Sequence, residues 1–522
     1  MIPTTFRLST ALTLAFCVLT GTATAQAPAT QPATQPDTPA ILIDGDHADW
    51  APRPRTELLA ADAQHVYLRF RFSRSRTLLR HGETVVLDLD TDNNRDTGST
   101  ATRNRHTDPG VDLRIELNPP RNRNDRRAPA IRVTRFDADG KPIELDPAAI
   151  NIHTAPTHAS ETFEVRFDRS LDSAADQPAA IGLLSEEPAE LRAFLWRQHH
   201  ESGRAAGLAK AAAPLPPFAA PEPANPDPDA DTPTLTIPTK PDNAIRVVAW
   251  NTLWGTQLNN PTPFGRVAQA LDADVYLIQE WSDKPYPASS VADWFNQHNP
   301  SPPDATRPAW KAVTTEHDNR GSGIAIVSRF PILATGPAKM RINSRTRWTF
   351  PVRFAAVVLD TPLGPGVFGT VHHKAGGRLG SQEDRRRLEE AAGINAVLAR
   401  LASRHKAAFT VFGGDFNMNG TPRVMDTAVR RLDTDRSALI PAAATVLDDP
   451  GVLYTHRGRD LRRRLDYITF SDAALTPVNA FVLNTAILPP PPHNHPPRNQ
   501  NNTKTTPHHP RRRDHVPNKN TH

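Results

Sequence analysis

The strongest constraint on this chain is a series of short apolar runs between residues 242 and 488, each closing on a polar residue. Residues 245–250 are apolar apart from Arg246 and end at Asn251. Residues 275–278 are wholly apolar and end at Gln279-Glu280. Further runs cover 324–328, 352–359 and 367–371 (the last pair spaced as a hairpin), then 409–412 and 465–470. Runs without alternation are strands buried on both faces. Between them lie helical patterns at 264–271, where Val267, Ala268 and Leu271 share a side, and from Ser381 onward. Ser381 with Asp384 three residues later reads as a helix N-terminus, and Leu388, Ala391, Ile394, Leu398 and Leu401 recur at helical spacing. Strands alternating with helices make an α/β domain, and open sheets of that kind build their sites at strand ends.

Composition divides the rest. The 522 residues include 52 prolines, roughly twice the usual share, concentrated enough to mark linkers. Residues 1–25 carry Arg7, an apolar stretch from about Leu8 to Leu19 and Ala23-Thr24-Ala25, the pattern of a cleavable signal peptide, so a secreted or periplasmic protein is expected. The run is too short to span a bilayer. Cys17, the only cysteine, lies inside it, which excludes a disulfide scaffold. Residues 26–39 and 203–241 read as linkers, leaving domains at 40–202 and 242–488. The tail, 489–522, has one branched aliphatic residue, Val516, and reads as disordered or as an aberrant, out-of-frame end. The formal charge of +5 comes from that tail and Arg7, so residues 26–488 sit at −1. The charge therefore gives no argument for a nucleic-acid surface. A monomer is expected.

Residues 40–202 read as an all-β sandwich, with runs at 65–72, 84–90, 111–117, 130–136 and 161–167 between turn signals. The segments Ile43-Asp44-Gly45-Asp46-His47-Ala48-Asp49-Trp50, Val66-Tyr67-Leu68-Arg69-Phe70 and Val86-Leu87-Asp88-Leu89-Asp90-Thr91-Asp92-Asn93-Asn94 resemble family-nine-like carbohydrate-binding, or DOMON-like, β-sandwiches. The acidic run Asp88, Asp90, Asp92, Asn94 and Asp96 offers the clustered oxygens that Ca²⁺ takes; a solvated acidic turn is the other reading. Trp50 and Trp196 are either sugar platforms for a surface polysaccharide or buried core.

In the α/β domain, Trp250-Asn251-Thr252, Leu277-Ile278-Gln279-Glu280, Gly323-Ile324-Ala325-Ile326-Val327-Ser328-Arg329-Phe330-Pro331, Gly413-Gly414-Asp415-Phe416-Asn417 and Arg464-Leu465-Asp466-Tyr467-Ile468 follow one another in order. This set resembles the endonuclease/exonuclease/phosphatase superfamily. The resemblance implies two mixed sheets sandwiched between helices and metal-dependent phosphoester hydrolysis. It implies Glu280 and Asn251 as ligands of Mg²⁺ or Mn²⁺, His372 and Asn417 against the phosphate, Asp415 orienting water or assisting proton transfer, and Asp466 in the same network. His372 is assigned by register in Val371-His372-His373-Lys374; His373 stays open, with a surface histidine as its plain reading. Arg513-Asp514-His515 resembles the closing motif, which would make Asp514 a metal-side ligand and His515 a base, but it stands in the low-complexity tail.

Nucleic acid, phospholipid and polyol phosphate are all open as substrates. Arg385-Arg386-Arg387 and Arg462-Arg463-Arg464 are a basic rim or a solvated face, and Pro285-Tyr286 and Trp294-Phe295 are lipid-insertion candidates or helix core. A non-catalytic surface-binding protein with a degenerate hydrolase domain is the competing reading.

Overall fold

A computed structural model describes residues 13–21, 41–50, 59–80, 82–99, 108–120, 129–170, 189–218, 237–282, 284, 286–300, 307–315, 323–343, 349–457 and 462–485. The expected strands of the α/β half form two sheets. One runs in the order Lys311–Thr314, Ala325–Ser328, Val275–Gln279, Ile245–Asn251, Thr13–Gly21, Leu475–Asn484, Thr445–Val446. The other runs Ile332–Thr335, Phe354–Thr361, Gly364–His372, Phe409–Asp415, Asp466–Phe470, Ile440–Pro441. Val247, Leu277 and Ile326 from the first meet Val357, Phe368, Val411 and Ile468 from the second in a shared core. Both faces of each sheet are covered, which is why these strands read as continuous apolar runs.

Helices Pro261–Leu271 and Ala288–His298 cover the outer face of the first sheet, burying Phe264, Leu271, Trp294 and Phe295. Helix Gln382–His405 covers the second sheet with Ala391, Ile394 and Leu398. Its cap is as expected, with Ser381 Oγ accepting from the Asp384 N–H, a contact that typically contributes about 1 kcal/mol. Trp294 and Phe295 are therefore core, and the lipid-insertion reading of that pair is corrected. The Arg385–387 run is not simply a solvated face either. Arg387 is fully buried and donates to the carbonyls of Lys374 and Gly376, and Arg386 pairs with Glu390 at 2.8 Å.

Two sheets also make up the N-terminal region. Six strands run Ala205–Leu215, Ala189–His199, Glu83–Asp90, Leu113–Leu117, Ile131–Phe136, Pro142–Leu145, and four run Leu59–Ala61, His65–Arg76, Ser160–Asp168, His153–Ala155. Leu68, Phe70 and Phe163 of the smaller sheet pack on Leu87, Leu113 and Ile115 of the larger. Ala205–Leu215 corrects the expected linker at 203–241. Its alanines have little strand propensity of their own, and the long ladder to Ala189–His199 supplies the order. Trp50 and Trp196 are buried at 0% and 4% exposure, with Nε1 donating to Glu164 and Asp88. Neither is a sugar platform.

The two regions share a core rather than hanging on a spacer. Ile41, Ile43, Trp50 and Tyr67 pack with Val446, Val452 and Tyr454. Arg166 grips Asp449 with two bonds of 2.9 and 2.5 Å, and Arg462 donates to Asn151 and contacts His153. That contact uses up an arginine of the supposed basic rim.

One element departs from the signal-peptide reading. Thr13–Gly21 is a strand antiparallel to both Ile245–Asn251 and Leu475–Asn484, with Leu19 buried in the inter-sheet core. An apolar run of about a dozen residues suits a buried strand as well as a leader. The linker at 26–39, the tail at 489–522, and with it Asp514 and His515, lie outside the described residues. Among the described residues no helix is long and apolar enough to cross a membrane.

Candidate active site

Five strand ends converge between the facing sheets of the α/β half. Strand Ile245–Asn251 delivers Asn251, and Val275–Gln279 delivers Glu280 in the residue that follows it. In the second sheet His372 is paired with Asp415 across a parallel ladder, and Asp415 with Asp466 across an antiparallel one. Six of the expected residues, Asn251, Glu280, His372, Asp415, Asn417 and Asp466, therefore come to one place.

Asn251 is the bridge. Its Nδ2 donates to Glu280 Oε1 and to Asp415 Oδ2, both at 3.2 Å, while its Oδ1 accepts from the Leu253 N–H at 3.0 Å. Glu280 is held by backbone as well. It sits at φ +56°, in the left-handed region that a glutamate rarely adopts, and its Oε2 accepts from the Trp254 N–H at 3.2 Å. Asp415 Oδ1 accepts from the Asn417 N–H at 2.9 Å. Asn417, also left-handed at φ +46°, donates its Nδ2 to the His373 carbonyl at 3.2 Å.

His372 Nε2 lies 3.6 Å from Glu280 Oε1 and 3.5 Å from Asp415 Oδ2. Its Nδ1 is 3.1 Å from Arg353 Nη1. A guanidinium can only donate, so Nδ1 must be the acceptor and Nε2 carries the proton of the neutral ring. Burial first, then the Arg353 charge, hold the His372 pKa well below its ordinary value, which keeps the ring neutral. The imidazole thus turns an N–H toward the two carboxylates.

The carboxylates themselves are crowded. Desolvation raises the pKa of Glu280. Desolvation and the nearby Glu280 push Asp415 up to about 7 against the pull of the Asn417 N–H. Asp466 goes well above its usual range through burial and the charge of Asp415, and its Oδ1 is buried with no hydrogen-bond partner. The carboxylate oxygens of Glu280 and Asp415 and the Nε2 of His372 lie within 4.8 Å of one another. Two carboxylates at one point, with the orphaned Asp466 oxygen on the neighbouring strand, fit a divalent cation with oxygen preference.

Sequence reasoning missed Arg353, which orients His372 and donates to the His373 carbonyl at 2.7 Å. An arginine opening an apolar strand reads as a solvated end, and no spacing marks it. His373, whose plain reading was a surface side chain, is fully buried, and its Nδ1 lies 2.9 Å from Glu390 of the long helix. It ties the strand end to that helix.

Residues 248–488 match the Endonuclease/Exonuclease/phosphatase family. This half of the chain is an endonuclease/exonuclease/phosphatase domain. Members of the family are metal-dependent phosphoester hydrolases. Among solved structures, the chain is similar to the human Nocturnin catalytic domain, at 18% identity over 45% of this chain and 84% of that one, with a TM-score of 0.30. It is similar to the 3′ phosphatase NExo from Neisseria at 15% identity, over 44% and 86%, TM-score 0.28. It is also similar to beta toxin from Staphylococcus aureus at 13% identity, over 43% and 85%, TM-score 0.27. No curated protein matches the chain.

In the N-terminal region a second acidic group assembles, with different members from those expected. Asp90, Asp92 and Asp112 offer oxygens within 4.8 Å of one another. Asp88 is absent because Arg114 pairs with it at 2.5 and 3.0 Å and Trp196 donates to it. Asp96 is not among them, and Asn94 Oδ1 accepts from the Asp96 N–H at 3.1 Å within the turn. Asp112 enters from the neighbouring strand, where Thr91 donates to its Oδ2.

Proposed function

We propose that the chain hydrolyses a phosphodiester with Mg²⁺ or Mn²⁺, at the site formed by Glu280, His372 and Asp415. The convergence of two carboxylates, a neutral imidazole N–H and the Asn251 amide at one buried point carries this reading. Glu280 and Asp415 would hold the cation, with Asn251 tying the two together. When bound, the cation supplies charge stabilisation on the phosphoryl oxygens and at the leaving oxygen. His372 Nε2–H and the Asn417 amide donate toward the phosphate. Asp415 orients the attacking water or assists its deprotonation through the oxygen it does not give to the cation. Asp466 stands beside Asp415 across the antiparallel ladder, and Arg353 holds His372 in its donating tautomer.

Support for a short phosphodiester over a long polyanion comes from the arginines. Arg387 and Arg462 are bound to protein acceptors, which removes them from any track of phosphate contacts. The non-catalytic reading loses its sugar platforms to burial of Trp50 and Trp196. Purified protein with Mg²⁺ or Mn²⁺ should turn over bis(p-nitrophenyl) phosphate, and a panel of oligonucleotides, sphingomyelin and inositol phosphates would rank the substrates. No metal-dependent turnover on any of them would sink the proposal.

A second cation reading has its own observation. Asp90 is 1% exposed and its Oδ1 has no hydrogen-bond partner, facing Asp92 and Asp112. We propose that Ca²⁺ binds there as a structural ion. Secretion after removal of residues 1–25 is likewise proposed; the N-terminal sequence of the exported chain tests it.

A further inference from the structure

Between strand His65–Arg76 and the short helix Leu78–Arg80, the N-terminal region places one buried hydroxyl against the α/β half. Thr77 is 3% exposed. Its Oγ1 donates to the Asn419 carbonyl at 3.1 Å and accepts from the Leu379 N–H at 3.1 Å. One hydroxyl can do both at once, having a proton to give and lone pairs to receive. It therefore spans the two loops that leave the strands ending at His372 and Asp415.

A second donor arrives beside it. The Ala159 N–H, also from the N-terminal region, bonds the Gly420 carbonyl at 2.7 Å. Two successive carbonyls of the loop thus find their donors outside the α/β half. On its inner side the same loop is bound to the site. The Asn419 backbone N–H and Nδ2 both reach the Asn417 carbonyl, at 2.6 and 3.2 Å. Asn417 in turn donates its N–H to Asp415 and its side chain to the His373 carbonyl. Its left-handed backbone at φ +46° is a conformation that persists only where surroundings hold it. Past it, the Thr421 N–H bonds Asp384 Oδ1 at 2.9 Å, and Gly420 lies against that carboxylate where a Cβ would collide.

We infer that Thr77 is a positioning residue for the active site: through Asn419 it fixes the loop that sets Asn417 and Asp415, so the N-terminal β region is part of the catalytic apparatus and not a detachable module. The effect on activity rests on the phosphoesterase reading above; the clamp itself does not.

The test compares full-length wild type, Thr77→Val and Thr77→Ser, with Thr77→Ala as the smaller alternative if valine disturbs folding. Backbone amide exchange at Asn417, Asn419 and Thr421 should be at least about tenfold faster in the valine variant and at the wild-type rate in the serine variant. With bis(p-nitrophenyl) phosphate, the valine variant should lose about tenfold in kcat with KM within about twofold, and serine should restore it. Unchanged amide exchange overturns the clamp. Faster exchange with unchanged kcat overturns its catalytic role. A wild type inactive on every phosphoester sinks the phosphoesterase reading instead, while exchange still decides the clamp.

Discussion

The two acidic clusters of this molecule begin from the same ingredient and end as different devices. Asp90 and Asp415 are both buried aspartates whose pKa is raised by desolvation, and both face other carboxylates. Around Asp415, directional donors intervene. Asn251 Nδ2, the His372 Nε2–H and the Asn417 N–H all point into the group, from strand ends of two different sheets. Around Asp90 the neighbours are the carboxylates of Asp92 and Asp112, brought in by one turn and one adjacent strand of a single sheet. A cluster whose side chains are all carboxylates, its oxygens held by backbone donors and Thr91, can hold a cation and do little else. A cluster that mixes acceptors with fixed donors can also bind and polarise an anion, and that difference in donor content separates a structural site from a reactive one.

The sharpest way to break this contrast is substitution at both sites. Glu280→Gln or Asp415→Asn should lower metal-dependent turnover by roughly a thousandfold or more, since each removes a cation ligand and an acid of the reacting group. Asp90→Asn should leave turnover unchanged. Equal losses at the two sites would abolish the distinction. Arg353→Met comes next. With its donor gone, His372 is free to take the other tautomer, and kcat should fall about 10- to 100-fold with a smaller change in KM.

A third outcome concerns stability without metal. Asp415 binds its proton more tightly folded than unfolded, with a folded pKa near 7, and Asp466 is raised in the same direction. Below the unfolded value of 3.8 neither group affects folding. Above it the unfolded chain releases protons that the native chain retains. Stability in EDTA should therefore fall as pH rises from about 4 to 7. Urea midpoints at pH 5 and 8 measure this, and saturating Mg²⁺ should flatten the slope. The smallest effect is at the other cluster: Ca²⁺ should raise the melting temperature of wild type by a few degrees, and Asp112→Asn should lose that rise.

What could be read from the chain was whatever is local. Apolar strands and the polar residue beside each are contiguous, so Asn251, Glu280, His372, Asp415 and Asp466 were legible as a set through the ordered motifs that resemble the family, each weak by itself. The Ser381 cap is a four-residue signal. What escaped depends on pairing across distance. Asp112 joins Asp90 only because their strands are neighbours through the ladder from Val85–Leu117 to Leu89–Leu113. Arg353 matters only because His372 is bonded beside it. Ala205–Leu215 has a composition that looks like spacer and becomes a strand through its partner. Thr77, 302 residues from Leu379, carries no local mark at all.

The strand Thr13–Gly21 has a bearing on maturation. It lies between Ile245–Asn251, which delivers Asn251, and Leu475–Asn484, and ladders with both. A protease cutting after Ala25 would withdraw it, exposing two rows of unpaired backbone groups in the middle of a sheet. Were residues 1–25 removed, the strand that carries Asn251 would lose this neighbour, so any processing of the N-terminus would bear directly on the bracing of the active site.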